Sequence, residues 1–198
     1  GKLSRGLGDV YKRQALSTRQ LSPNKCKASI LHALKIKRPI FVWGGPGIGK
    51  SEVIHQIAKN IDAHVIDIRL SLWEPTDIKG IPYFNSKENN MVWAQPSELP
   101  TKAEAKKHKN IVLFLDEMNS AAPSVQAAAY QLILNRKVGQ YELPDNVLIC
   151  AAGNREADKG VVYRMPAPLA NRFIHLEMKP EFDDLSLIHI SEPTRQLA

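Results

Sequence analysis

Eight consecutive residues constrain this chain more than any other stretch. Gly44, Gly45, Pro46, Gly47, Ile48, Gly49, Lys50 and Ser51 satisfy the spacing G-x-x-x-x-G-K-[ST]. Glycines let a backbone fold tightly enough for successive N–H groups to point at phosphate oxygens. Lys50 supplies a mobile cation for the terminal phosphates of a nucleotide, and the Ser51 hydroxyl can ligate Mg²⁺. The setting is the one such a loop needs. Ile40–Trp43 reads as a short buried strand, and Lys50–Asn60 as a helix with Val53, Ile54, Ile57 and Ile61 on one stripe. The start of that helix places its positive dipole end beneath the phosphates.

The rest of the chain repeats the alternation. Ser22-Pro23 is a helix-start signal, after which Cys26, Ile30, Leu31 and Leu34 fall on one face. His64–Leu70 predicts a second strand. Residues 71–100 are rich in proline and lack a helical period, and within them Ile81–Phe84 and Met91–Trp93 predict a hairpin. The Lys-rich stretch from Thr101 to Asn110 reads as a solvated helix face or loop. Ile111–Leu115 predicts a strongly apolar strand, Pro123 a helix start, and Val147–Ala152 and Phe173–Met178 two further strands. Near-continuous apolar strands alternating with helices predict an α/β fold: a five-stranded parallel sheet flanked by helices, with a hairpin insert.

Two strand ends carry further chemistry. Asp116-Glu117 closes the most apolar strand, where Asp116 can hold Mg²⁺ and Glu117 can polarise an attacking water. Asn154 ends the strand after it, where a neutral amide can hydrogen-bond the γ-phosphate or that water. This order, followed by Pro166-Ala-Pro-Leu-Ala-Asn-Arg172-Phe, closely resembles the AAA+ ATPases, which share the P-loop NTPase fold. Within them it resembles the MoxR and dynein-related (AAA_5) branch. The matching features are the D-x-x-G segment Asp77–Gly80, the hairpin, and the run Asp116, Glu117, Asn119, Ala121, Gln126. The resemblance covers about Ser22 to Asp184. It implies ATP and Mg²⁺ as cofactors, with Ser51 and Asp116 as the metal residues and Glu117 and Asn154 as catalytic ones. It also implies Arg172 as an arginine finger reaching a neighbouring subunit, with Arg155 and Arg164 as lesser alternatives. The function implied is a ring-forming, MoxR-like remodelling or chaperone ATPase, self-assembled as an expected hexamer, acting on an unidentified protein client in the cytoplasm. A GTP-driven McrB-like restriction subunit and a nucleotide-dependent scaffold without turnover are the alternatives. Such proteins continue into a helical lid, and the credible sequence here stops near Asp184 without one.

The formal charge of +7 is inflated by the two ends. Asp9–Gln14 (DVYKRQ) and Leu185–Ile190 (LSLIHI) can be encoded by mutually reverse-complementary codons, and the shared string resembles a transposase-adapter sequence. Residues 1–14 and 185–198 are therefore read as adapter-derived and 15–184 as the nucleotide-binding domain. The ends hold five of the 27 basic and two of the 20 acidic residues, which leaves +4 for the remainder. That charge does not indicate nucleic acid. No apolar run approaches the ~20 residues of a membrane span. Cys26 and Cys150 lie far apart with no His in metal-like spacing, which predicts two buried thiols in a reducing compartment.

Overall fold

Residues 19–155 and 162–179 are described by the computed structural model. Both adapter-like ends, and any lid after Lys179, lie outside them. Among the described residues, ten strands and six α-helices follow one another as β1 (Arg19–Leu21), α1 (Pro23–Lys35), β2 (Ile40–Trp43), α2 (Lys50–Asn60), β3 (Ala63–Arg69), α3 (Pro75–Lys79), β4 (Ile81–Asn85), β5 (Asn90–Ala94), α4 (Lys102–Ala105), β6 (Asn110–Asp116), α5 (Pro123–Asn135), β7 (Lys137–Val138), β8 (Tyr141–Glu142), β9 (Val147–Gly153), α6 (Ala167–Ala170) and β10 (Ile174–Met178).

Six strands form one sheet in the order β1-β10-β2-β9-β6-β3, every pair parallel. The five expected strands are all there. The three-residue β1 extends them at one edge, too short to give a periodic signal in the sequence. Side chains alternate between two buried layers, as strand geometry requires. In β6, Ile111, Leu113 and Leu115 face the layer shared with α5, while Val112 and Phe114 face the layer shared with α1 and α2. In β9, Val147, Ile149 and Ala151 go one way, and Leu148, Cys150 and Ala152 the other. Burial on both faces is why these strands read as continuous apolar runs.

Registers align the strand ends. Trp43 is opposite Gly153, and Arg69 opposite Asp116. The chain leaves β2 through α2 to reach β3 at the far edge, while β10 occupies the other side of β2. The strand order therefore reverses at β2, and the crevice beyond the carboxyl ends at such a switch point is where α/β sheets bind ligands.

The proline-rich region differs in part from expectation. The hairpin is present, with Tyr83 opposite Val92, but it is preceded by the five-residue helix α3. Glu74 and Asp77 cap that helix reciprocally, the Asp77 carboxylate accepting from the Glu74 N–H at 2.7 Å. Ile78 is buried, and Gly80 has a left-handed φ of 83° where a Cβ would overlap the Ala94 carbonyl oxygen. The D-x-x-G segment is thus a capped turn, a core anchor and a close backbone crossing. The Lys-rich stretch folds into α4, capped by Thr101 Oγ1 accepting from the Glu104 N–H at 3.1 Å. Lys106, Lys107 and Lys109 beyond it are exposed. Both cysteines are free and buried, as expected.

Candidate functional site

Carboxyl-end loops of β2, β3, β6 and β9 enclose a pocket of about 360 Å³, lined by Pro46, Gly47, Gly49, Lys50, Ser51, Glu52, Arg69, Asp116, Glu117 and Asn154. The loop between β2 and α2 forms its floor. Gly47 and Gly49 hold φ of 74° and 84°, a left-handed conformation that disfavours other residues. Gly44 and Ile48 shape the loop from beneath rather than line the pocket. The Gly44 N–H donates to the Gly153 carbonyl at 3.3 Å, and Ile48 packs on the α1–α2 side of the core. The Lys50 ammonium donates to the carbonyls of Gly44 and Gly45, each at 2.8 Å, and to Asn154 Oδ1 at 3.1 Å. Ser51 Oγ donates to Asp116 Oδ2 at 3.2 Å.

Glu117 follows Asp116 in a left-handed conformation, φ 53°. For a residue with a Cβ that costs of order 1 kcal/mol, and such strain concentrates at functional sites. Its own N–H donates to Asp116 Oδ1 at 2.8 Å. The turn aims the Glu117 carboxylate toward β3, where Ser71 Oγ donates to Oε2 and the Arg69 guanidinium lies 3.7 Å from Oε1. Arg69 and Ser71 escaped the sequence reading. Their only signal is a position at the end of a strand, and that matters only once β3 is known to lie beside β6.

Asn119 and Gly153 were also not foreseen as site-shaping residues. The Asn119 side chain, 1% exposed, donates to the Asn154 carbonyl at 2.7 Å and accepts from the Asn154 N–H at 3.1 Å. A Cβ on Gly153 would overlap Asn119 Oδ1 and stand 2.7 Å from Phe41 Cζ. Gln126, further along the same run, donates to the Ala121 carbonyl at 3.0 Å and holds the turn into α5.

Lys50, Ser51, Asp116, Glu117 and Asn154 therefore meet in one pocket. Arg172 does not. It is exposed in the turn before β10, whose first residue Ile174 pairs with Ile40 at the start of β2, whereas the loop follows Trp43 at the strand's other end. Arg155 is engaged with Glu177 at 3.1 Å, and Arg164 is exposed.

This arrangement can take a polyanion with a hard cation. It offers backbone N–H groups at a helix start, one ammonium, and two oxygen donors in contact, a set that suits Mg²⁺. The sequence profile of the ATPase family associated with various cellular activities (AAA) matches residues 40–180, a span that contains every one of these groups. The chain belongs to the AAA ATPase family. Midasin of Giardia intestinalis is 27% identical over 161 residues, 77% of this AAA chain but 3% of midasin. Two solved structures share the fold. A candidate ATPase from Cytophaga hutchinsonii has a TM-score of 0.61 at 18% identity, over 86% of this chain and 52% of that one. The P216G mutant of Thermotoga maritima RuvB has a TM-score of 0.54 at 21% identity, over 83% of this chain and 48% of that one. This AAA chain thus spans a small part of midasin and about half of each structural neighbour. Among the described residues, no helix is long and apolar enough to cross a membrane.

Proposed function

We propose that residues 15–184 form the ATP-binding and ATP-hydrolysing domain of a ring-forming, MoxR-like remodelling ATPase, and that residues 1–14 and 185–198 are adapter-derived. The observation that carries the catalytic reading is the convergence of Lys50, Ser51, Asp116, Glu117 and Asn154 on one pocket at the switch point of the sheet. Support for the branch comes from the D-x-x-G turn and the hairpin between β3 and β6. The hairpin leaves Ile81, Tyr83, Phe84 and Met91 exposed, a surface suited to a protein client.

In this reading Gly44 to Ser51 cradle the phosphates, and Lys50 exchanges the carbonyls of Gly44 and Gly45 and the Asn154 amide oxygen for phosphate oxygens. Ser51 and Asp116 would hold Mg²⁺, which offsets phosphate charge when bound. Glu117 leaves Ser71 and Arg69 to accept a proton from the attacking water, and the Asn154 amide orients that water or the γ-phosphate. Arg172, remote from its own pocket, would stabilise charge in a neighbouring subunit's site. A calorimetric titration with ATP, and with GTP in parallel, tests the reading. Tight Mg²⁺-dependent ATP binding that Lys50→Ala abolishes is expected, and equal binding by that variant would remove the claim. Preference for GTP would instead favour the McrB-like alternative.

A further inference from the structure

Two amide side chains and one carboxylate among the described residues keep less than a tenth of their surface exposed: Asn119, Gln126 and Glu177. A buried amide needs partners and a reason. Asn119 does not line the phosphate pocket. Both polar atoms of its side chain instead go to the backbone of a single residue, Nδ2 to the Asn154 carbonyl and Oδ1 to the Asn154 N–H. That pairing imitates a neighbouring strand. The ladder between β2 and β9 ends at Trp43 and Gly153, so Asn154 is the first residue beyond it. The Asn119 amide takes up both backbone polar groups of that residue, and the missing Cβ of Gly153 lets it approach.

Two parts of the pocket and the segment leading to Arg172 meet at Asn119. It lies in the short turn Met118–Ser120 directly after Glu117. Its partner's Oδ1 accepts from Lys50 at 3.1 Å. The backbone carbonyl of Asn119 accepts from the Tyr163 N–H at 2.7 Å, on the segment leading to α6 and Arg172.

We propose that Asn119 is a positioning residue that fixes the Asn154 backbone, and so the direction in which the Asn154 amide points at the phosphate pocket. The proposal rests on the reading of that pocket as a nucleotide site. The chemistry is specific to asparagine. Aspartate has nearly the same shape but lacks the donor, and sets a charged acceptor against the Asn154 carbonyl. Glutamine adds a methylene where the neighbours leave no room, and alanine strands both peptide groups of Asn154.

Two measurements test it. The first reads nucleotide-free protein: exchange of the Asn154 amide hydrogen, followed by NMR. Asn119→Ala removes its acceptor and should bring exchange close to that of an open loop, while Asn119→Asp keeps the acceptor and should retain most protection. Unchanged Asn154 protection in Asn119→Ala overturns the proposal whatever the pocket binds. The second is a double-mutant cycle on ATP turnover, with affinity for a fluorescent ATP analogue and melting followed in parallel. A misplacement of about 1 Å at such a group costs roughly 100-fold in rate. Asn119→Asp should therefore lower kcat by that order, shift KM far less, and add nothing to the defect of Asn154→Ala. Fully additive losses, or a loss that follows melting alone, overturn it. Failure of Lys50→Ala to weaken binding would instead strike the pocket reading and leave the exchange result standing.

Discussion

Lys50 is satisfied before any nucleotide arrives, by two loop carbonyls and the Asn154 amide oxygen. These acceptors are neutral, and charge-assisted bonds to phosphate oxygens are about twice as strong as bonds of that kind. Lys50→Ala should thus cost ATP affinity directly, seen by calorimetry as a loss of at least ~10-fold on the scale of one charged hydrogen bond. Glu117→Gln makes the opposite demand. The amide keeps the size and the contact with the Ser71 side, so ATP should still bind while phosphate release falls to background. Normal hydrolysis by that variant would show that the base lies elsewhere. Away from the pocket, burial pushes the Cys26 thiol up to about 11 and the Cys150 thiol up to about 12. A raised pKa leaves less thiolate at a given pH, about a thousandth or less at pH 8. Iodoacetamide at pH 8 should therefore leave both cysteines unmodified in the folded protein and label both in guanidinium. Rapid labelling of the native state would contradict their burial.

Where β9 stops, the element is defined by what does not fit. A Cβ at 153 would overlap the Asn119 oxygen and crowd Phe41, and both neighbours are themselves buried. Overpacking of this kind costs about 1–3 kcal/mol, or very roughly 2–12 °C in a chain of this size. Gly153→Ala should melt lower by that amount, and an unchanged melting temperature would mean that the strand end yields easily. By contrast, Phe84→Ser on the exposed hairpin should change stability by no more than about 0.5 kcal/mol. The same elements show why the sequence was legible in some places and silent in others. Ile40–Trp43, Lys50–Asn60 and Ile111–Asp116 carry their own periodicity or motif, so strand, loop and helix could be read locally. Asp116, Glu117 and Asn154 were legible because each closes an apolar run. The β1 edge strand and the β7–β8 hairpin are two or three residues per strand, below any period. Arg69 and Ser71 depend on which strand lies beside β6, and Asn119 on an amide that reaches across to β9. Those are facts of sheet order and packing, which no local pattern encodes.

At the scale of the molecule, the ends and the assembly make separate predictions. If residues 1–14 and 185–198 did not evolve against this core, deleting both should leave the melting temperature nearly unchanged, and a loss of several degrees would return them to the native domain. Lys50, Ser51, Asp116, Glu117 and Asn154 sit at or just past the carboxyl ends of strands, while Arg172 sits before the amino end of β10. Four residues of β2 span roughly 13 Å, so a side chain at one end of the sheet does not serve phosphates at the other. In a ring, that same Arg172 can enter the next subunit's pocket. Arg172→Ala should then leave ATP binding largely intact while lowering hydrolysis by ~10³–10⁵-fold, the scale of arginine-finger losses in phosphoryl transfer. Lys50→Ala fails for the complementary reason, having an intact finger and a broken pocket. Mixing the two inactive variants creates interfaces where an intact pocket meets an intact finger, so part of the turnover should return and vary with the mixing ratio. An absence of rescue, with wild-type activity independent of protein concentration, would mean that each subunit works alone and that Arg172 has another role.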